Sequence, residues 1–279
     1  MLHKKSLGQH FLRDPRILQK IADAARLSPT DTVLEVGPGE GVLTRLLLEQ
    51  AGNVIAVEKD DRLIPILGVT FEKEIRSGNL KLIHADILEP TTDNQLPTTY
   101  KIVANLPYYI TGQFLRKFLQ EVEQQPTSMT LLLQKEVAKR IVASDGKESI
   151  LSISVKAYGT PRYIDTVKAG SFSPPPNVDS AILTIENISK EFFRSLICHS
   201  HENGNLEKGS SVLDSRLREN DGEEYFFALL RKGFAHPRKL LASNLGIAAG
   251  TLREIGIDEK ARAETLSLDD WRRIAAMLL

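Results

Sequence analysis

Thr32-Val33-Leu34-Glu35-Val36-Gly37-Pro38-Gly39-Glu40-Gly41 carries the strongest structural signal in the chain. Its first five residues form a short, largely apolar and β-branched run, the pattern of a buried strand. Three alternating glycines then let the backbone turn sharply and come close to a ligand without Cβ interference. Val42–Gln50, directly after the loop, has the length and amphipathicity of a helix. Strand, glycine loop and helix in this order open a βαβ unit. A glycine loop alone leaves the ligand undecided.

Downstream the same alternation repeats. Val54–Val57, Leu80–His84, Tyr100–Ala104 and Met129–Leu133 read as further strands, the last feeding a helix over Gln134–Ala143. Such β-then-α order predicts a mostly parallel, doubly wound α/β sheet. Ile150–Ala157 and Ser180–Ile185 read as two more strands, which would make the sheet seven-stranded. After Glu186 the character changes. Residues 198–222 are polar and aperiodic, the composition of a flexible surface insertion. Tyr225–Phe234, Arg238–Gly246, Ala248–Gly256 and Leu268–Leu279 then read as helices separated by Gly or Pro signals. The expected organisation is a ligand-binding catalytic domain over 1–187, a connecting segment over 188–224 and a small all-helical domain over 225–279.

Composition narrows the class. With 42% hydrophobic and 26% charged residues the chain is that of an ordinary globular protein. No apolar run approaches the roughly 20 residues of a membrane-spanning helix, and Met1–Ser6 lacks the apolar core of a signal peptide. The single cysteine, Cys198, rules out an internal disulfide and fits a reducing cytoplasm. A formal net charge of +0 argues against nucleic-acid binding through bulk charge and requires local basic patches. Two stretches without an acid qualify: residues 1–13, with Lys4 and Lys5, and residues 225–253, with Arg231, Lys232, Arg238 and Lys239. Taken singly, each reads equally well as a solvated face. Cys198-His199-Ser200-His201 has no second ligand pair at a suitable spacing and reads as a chance grouping, so no metal is expected.

The ligand follows from acids at strand ends. Glu58 lies 21 residues after Gly37, where a carboxylate can accept both ribose hydroxyl protons of a nucleoside cofactor. The dinucleotide fingerprint is G-x-G-x-x-G, whereas this loop is G-x-G-x-G preceded by Glu35. That spacing resembles the class I methyltransferase loop, where no pyrophosphate is cradled. Asp86 ends the third strand, placed to accept from a cofactor's adenine amine. Glu58 alone could be a surface acid and Asp86 a helix cap. In strand-end order with the loop, they favour S-adenosyl-L-methionine over NAD.

Asn105-Leu106-Pro107-Tyr108 follows the fourth strand, at the sheet edge where open α/β folds bind ligands. An adenine amine is a poor nucleophile because its lone pair is delocalised into the ring. The Asn105 side-chain oxygen and the Leu106 carbonyl can accept its two N–H hydrogens and localise that pair. Pro107 fixes the turn, and Tyr108 offers a flat face to an extruded base. In isolation the same four residues are a strand followed by a proline turn; their place after the loop, Glu58 and Asp86 gives them their chemical meaning.

Three further stretches carry a resemblance: Leu7-Gly8-Gln9-His10-Phe11-Leu12, Gln134-Lys135-Glu136-Val137-Ala138-Lys139-Arg140, and Phe172-Ser173-Pro174-Pro175-Pro176-Asn177-Val178-Asp179-Ser180. With Asn105–Thr111 they resemble the ribosomal RNA adenine dimethylase family, on the side of its bacterial small-subunit members, through residues 3–186 and again from about 225. The resemblance implies a Rossmann-like class I methyltransferase fold and S-adenosyl-L-methionine as donor. It implies two methyl transfers to each of two adjacent adenosines near the 3′ end of small-subunit rRNA, by a cytoplasmic monomer acting on the immature subunit. Carried over by motif, His10 and Leu12 contact the cofactor from the N-terminal segment, Gly37 lies beside it, Glu58 holds the ribose and Asp86 the adenine. Asn105 bridges cofactor and target, and Phe172 stacks on the target opposite Tyr108. The family commonly has Asn where this chain has His10, which a backbone contact tolerates and a side-chain contact does not. The large-subunit resistance methyltransferases share the loop and the Asn-x-Pro-Tyr turn, but open with Ser-Gln-Asn. A DNA adenine methyltransferase needs a target-recognition domain for which the chain has no room. A non-catalytic assembly factor on this fold should lack Asn105, Tyr108 or Glu58, and all three are present.

Overall fold

The structure, a computed structural model, describes residues 10–89, 96–202 and 219–278. In chain order the strands are β1 Phe11–Leu12, β2 Thr32–Val36, β3 Asn53–Glu58, β4 Leu80–His84, β5 Lys101–Asn105, β6 Ser128–Gln134, β7 Thr160–Val167, β8 Phe172–Ser173 and β9 Ser180–Glu186. The α-helices are α1 Pro15–Ala24, α2 Val42–Gln50, α3 Ile64–Thr70, α4 Glu72–Ser77, α5 Thr111–Arg116, α6 Lys135–Val142, α7 Ile150–Tyr158, α8 Glu191–Glu202, α9 Glu219–Gly233, α10 Leu241–Leu245, α11 Ala249–Glu254 and α12 Leu268–Leu278. The chain divides into two compact units, one of residues 1–138 and 160–188, the other of 139–159 and 189–279.

The first unit is built on a seven-stranded sheet in the order β4-β3-β2-β5-β6-β9-β7. β2 to β6 are parallel, β9 runs antiparallel to β6, and β7 antiparallel to β9. Parallel strands are covered on both faces and so read as continuous apolar runs; Val33, Leu34, Val103, Ala104, Leu131 and Leu132 are all buried to 0% exposure. The mostly parallel sheet, its seven strands and its Rossmann-like class match expectation. A separate two-stranded sheet pairs β1 with β8, Leu12 opposite Phe172 and Phe11 opposite Ser173. This short ladder ties the N-terminal segment to the residues that follow β7, although they lie about 160 positions apart in sequence.

One of the seven strands is not the expected one. Ile150–Ala157 is not a strand but most of α7. Its alternating β-branched residues mimic a strand, yet a short apolar run cannot be told from a buried helix by period alone. The deciding signal is a capping box. Ser149 accepts from Ser152 N–H at 3.2 Å, and Ser152 Oγ accepts from Ser149 N–H at 2.7 Å. The missing strand is β7, whose Pro161 argues against a strand reading. At the sheet's edge, with a bulge between Tyr163 and Asp165, that proline is tolerated.

The helical unit therefore takes in residues 139–159, which the sequence reading placed with the sheet. Aromatic packing explains the recruitment. Tyr158 at the end of α7 lies 4.9 Å from Phe193 and 6.1 Å from Phe227, ring centre to ring centre. Its hydroxyl donates to Glu223 Oε1 at 2.6 Å, and Glu223 also pairs with Lys190 at 3.1 Å. α8 and α9 extend into the segment expected to be an aperiodic insertion, so Cys198–Glu202 and Glu219–Gly222 are helical. Residues 203–218, the centre of that expectation, lie outside the described residues.

Candidate functional site

Glycines of the β2–α2 loop adopt backbone angles that exclude side chains. Gly37, Gly39 and Gly41 have φ of 68°, 62° and 80°. A Cβ on Gly41 would meet Phe71 at 2.5 Å, so this glycine serves packing. A Cβ on Gly37 would meet no protein atom within 4 Å, because Gly37 opens onto a cavity of about 360 Å³. The parallel strands deliver their carboxyl ends to this cavity, as the topology of an open α/β sheet requires.

All ten residues expected to act in catalysis or cofactor binding line this cavity. They are His10, Leu12, Gly37, Glu58, Asp86, Asn105, Leu106, Pro107, Tyr108 and Phe172. Four different strand ends and the β1–β8 ladder bring them together. The expected basic residues are distributed differently. Arg231, Lys232, Arg238 and Lys239 are exposed on the helical unit, while Lys4 and Lys5 lie outside the described residues.

Glu58, at the end of β3, is 6% exposed. Its Oε2 accepts from Gly39 N–H at 3.1 Å and its Oε1 from Asp60 N–H at 2.8 Å. Burial pushes its pKa up, and the N–H groups of Asp60, Gly39 and Lys59 hold it back. Each oxygen keeps lone-pair capacity, so the carboxylate can accept two further hydroxyl protons. Asp86 accepts from Lys59 Nζ at 2.6 Å and from Leu88 N–H at 3.0 Å. Burial raises its pKa, but these partners outweigh burial and leave it below the usual value. The sequence reading passed over Lys59; its place directly after Glu58, at the same strand end, was the available signal.

Glu35 is the unusual acid of the site. It is fully buried in the cavity wall, and desolvation lifts its pKa to about 8. The Glu58 charge raises it further. Neither Glu35 Oε2 nor Thr44 Oγ1 completes a hydrogen bond.

Asn105 ends β5. Its Nδ2 donates to the His10 carbonyl at 3.4 Å, which orients the amide and leaves Oδ1 as the acceptor. Leu106 donates its N–H to the Leu132 carbonyl at 3.1 Å. The 3-10 turn over Tyr108–Ile110 is closed by Ile110 N–H on the Pro107 carbonyl at 3.1 Å, so the Leu106 carbonyl is not drawn into it. Asn105 and Leu106, consecutive at one strand end, thus offer a side-chain and a main-chain acceptor. Tyr108 is half-buried and Phe172 is 5% exposed. His10 Nδ1–H donates to the Pro174 carbonyl at 2.8 Å, and the His10 ring lies 6.2 Å from that of Tyr108 at 27°. At this position the main-chain carbonyl meets Asn105 while the side chain faces Pro174. Tyr109, 62% exposed, also lines the cavity, and the sequence reading gave it no role.

A cavity lined both by a buried carboxylate with free acceptor capacity, Glu58, and by the amide of Asn105 beside Leu106 suits group transfer between a nucleoside cofactor and a base. Among the described residues no group of three metal-ligating side chains occurs, and no helix is long and apolar enough to cross a membrane.

Comparisons with known proteins agree with this arrangement. Residues 1–199 match the family model of the ribosomal RNA adenine dimethylases. Proteins named ribosomal RNA small subunit methyltransferase A are similar along nearly the whole chain. That of Dehalococcoides mccartyi is 43% identical over 97% of this chain and 87% of its own length. That of Streptococcus equi subsp. zooepidemicus is 36% identical over 99% and 91%. Among solved structures, the 23S rRNA methyltransferase ErmE superposes with a TM-score of 0.71 at 25% identity, over 96% of this chain and 99% of its own. A dimethyladenosine transferase of Plasmodium falciparum gives 0.72 at 24% identity, over 95% and 96%, and shares the fold. With its seven-stranded sheet, its glycine loop and a family match over more than half its length, the chain belongs to the ribosomal RNA adenine dimethylase family.

Proposed function

We propose that this enzyme transfers methyl groups from S-adenosyl-L-methionine to the N6 amines of two adjacent adenosines in the 3′-terminal hairpin of small-subunit rRNA. It acts as a cytoplasmic monomer on the immature small subunit and contributes to subunit biogenesis. The observation that carries the reading is the convergence of all ten expected residues on one cavity, with Asn105 oriented to accept. The curated relatives named for the small subunit, at 43% and 36% identity, support this address over large-subunit rRNA.

The residues present fit the cofactor. Glu58 holds the ribose hydroxyls, Asp86 the adenine amine, and Gly37 with the His10–Leu12 segment lines the remainder. When bound, the cofactor supplies a methyl group already activated by a positively charged sulfur. The protein's contribution is then positioning and desolvation. In the first transfer Asn105 Oδ1 and the Leu106 carbonyl accept the two amine hydrogens, and in the second one of them accepts the single hydrogen that remains; each bond concentrates the lone pair on N6. Pro107 holds the turn that keeps these acceptors adjacent, while Tyr108 and Phe172 hold the extruded base between aromatic faces. Lys4, Lys5, Arg231, Lys232, Arg238 and Lys239 contact RNA phosphates.

The test is incubation with methyl-labelled S-adenosyl-L-methionine and undermethylated small subunits, followed by mapping of the label. Dimethyladenosine at two adjacent positions near the 3′ end is expected. Label confined to large-subunit rRNA would overturn the assignment.

A further inference from the structure

Tyr108 is held at its hydroxyl end. Its oxygen and Ser180 Oγ share a hydrogen bond of 2.7 Å. Ser180 is the first residue of β9 and has 0% exposure. It pairs with Gln134 on β6 and Val167 on β7, so its backbone is locked between two neighbouring strands. Its Cβ is therefore fixed in space, which confines the hydroxyl to the few positions that staggered χ1 rotamers allow. The Tyr108 ring is thus fixed by three contacts: the Pro107 turn at its backbone, Ser180 at its hydroxyl, and the His10 imidazole beside it. Burial raises the pKa of the phenol, the Ser180 bond draws it back in part, and the Asp179 charge adds to the rise.

We infer that Ser180 is a positioning residue for methyl transfer: by pinning the Tyr108 hydroxyl it sets the plane on which the target adenine stacks before the base arrives. The inference rests on the reading of Tyr108 as a base-stacking residue. A ring free to turn about its χ angles would have to be ordered on each turnover, and ordering an aromatic face costs free energy that a preset ring has already met. The alternative is that the hydroxyl pair only satisfies a buried serine.

A double-mutant cycle separates the two. Ser180→Ala and Tyr108→Phe each remove one end of the same bond. Each is expected to lower kcat by about fivefold, the scale of one neutral hydrogen bond, with the KM for RNA and cofactor affinity unchanged. The double variant should be no slower than the slower single, because both substitutions remove the same bond. Ser180→Thr, which restores a hydroxyl, should recover most of the activity. In a hairpin RNA carrying 2-aminopurine at the target position, Ser180→Ala should change the bound fluorophore's emission in the same sense as Tyr108→Phe. Additive losses, or wild-type kcat in Ser180→Ala, overturn the inference. Tyr108→Ala tests the reading beneath it: full activity there removes the stacking role itself, whereas its loss together with an additive cycle removes only the role of Ser180.

Discussion

Asn105 shows how much one side chain can be asked to do when its neighbours orient it. The His10 carbonyl takes an Nδ2 hydrogen of Asn105, which fixes the amide's orientation and leaves its oxygen as an acceptor. Asn105→Ala removes that acceptor while leaving the sheet intact. It is expected to lower kcat by at least about 100-fold, the scale of losing a transition-state hydrogen-bond partner, with cofactor affinity by calorimetry within a few-fold of wild type. Glu35 makes a different prediction. Its folded pKa of about 8 is above the ordinary carboxylate value, so the native state holds a proton that the unfolded chain releases. Stability associated with this group is present at low pH and declines as pH rises from about 5 to 8. Glu35→Gln, permanently neutral, should therefore gain thermal stability relative to the wild type across that window. A pH-independent difference in Tm would show that burial does not hold the proton there. The role of Asn105 depends on a partner remote in sequence, since His10 is 95 residues away. The motif reading could name Asn105 but not its orienting group.

At the scale of elements, the glycine loop is the part most legible in the chain. Its alternating glycines demanded left-handed angles, and all three have them. Gly41→Ala combines a strained φ of 80° with a Cβ placed 2.5 Å from Phe71. Its expected cost is about 1–3 kcal/mol of unfolding free energy, measurable by urea titration. Gly37→Ala carries the backbone strain of its φ of 68° but meets no protein atom, so its steric effect should fall on ligand binding rather than on packing. Elements were misread where the local code was ambiguous. Residues 150–157 alternate like a strand, and only the Ser149–Ser152 capping box, a pair of side-chain bonds, starts the helix. β7 was missed because Pro161 weighs against a strand unless the strand is known to lie at an edge.

For the whole molecule, the zero net charge leaves RNA affinity to local patches. Replacing Arg231, Lys232, Arg238 and Lys239 together by Gln is expected to weaken RNA binding and to flatten its dependence on salt. Removal of one cation–phosphate pair should reduce the log–log slope by nearly 1. An unchanged slope would place the RNA elsewhere. The parallel α/β class, the glycine loop, the strand-end acids and the Asn-Leu-Pro-Tyr turn were all legible in the chain. Those features are written in local periodicity and in spacings within one or two elements. Tertiary structure alone decided which distant segments meet: β1 against β8, Ser180 against Tyr108, the His10 carbonyl against Asn105, and α7 among the C-terminal helices. Such meetings arise from the packing of whole elements, and no local pattern in the chain encodes them.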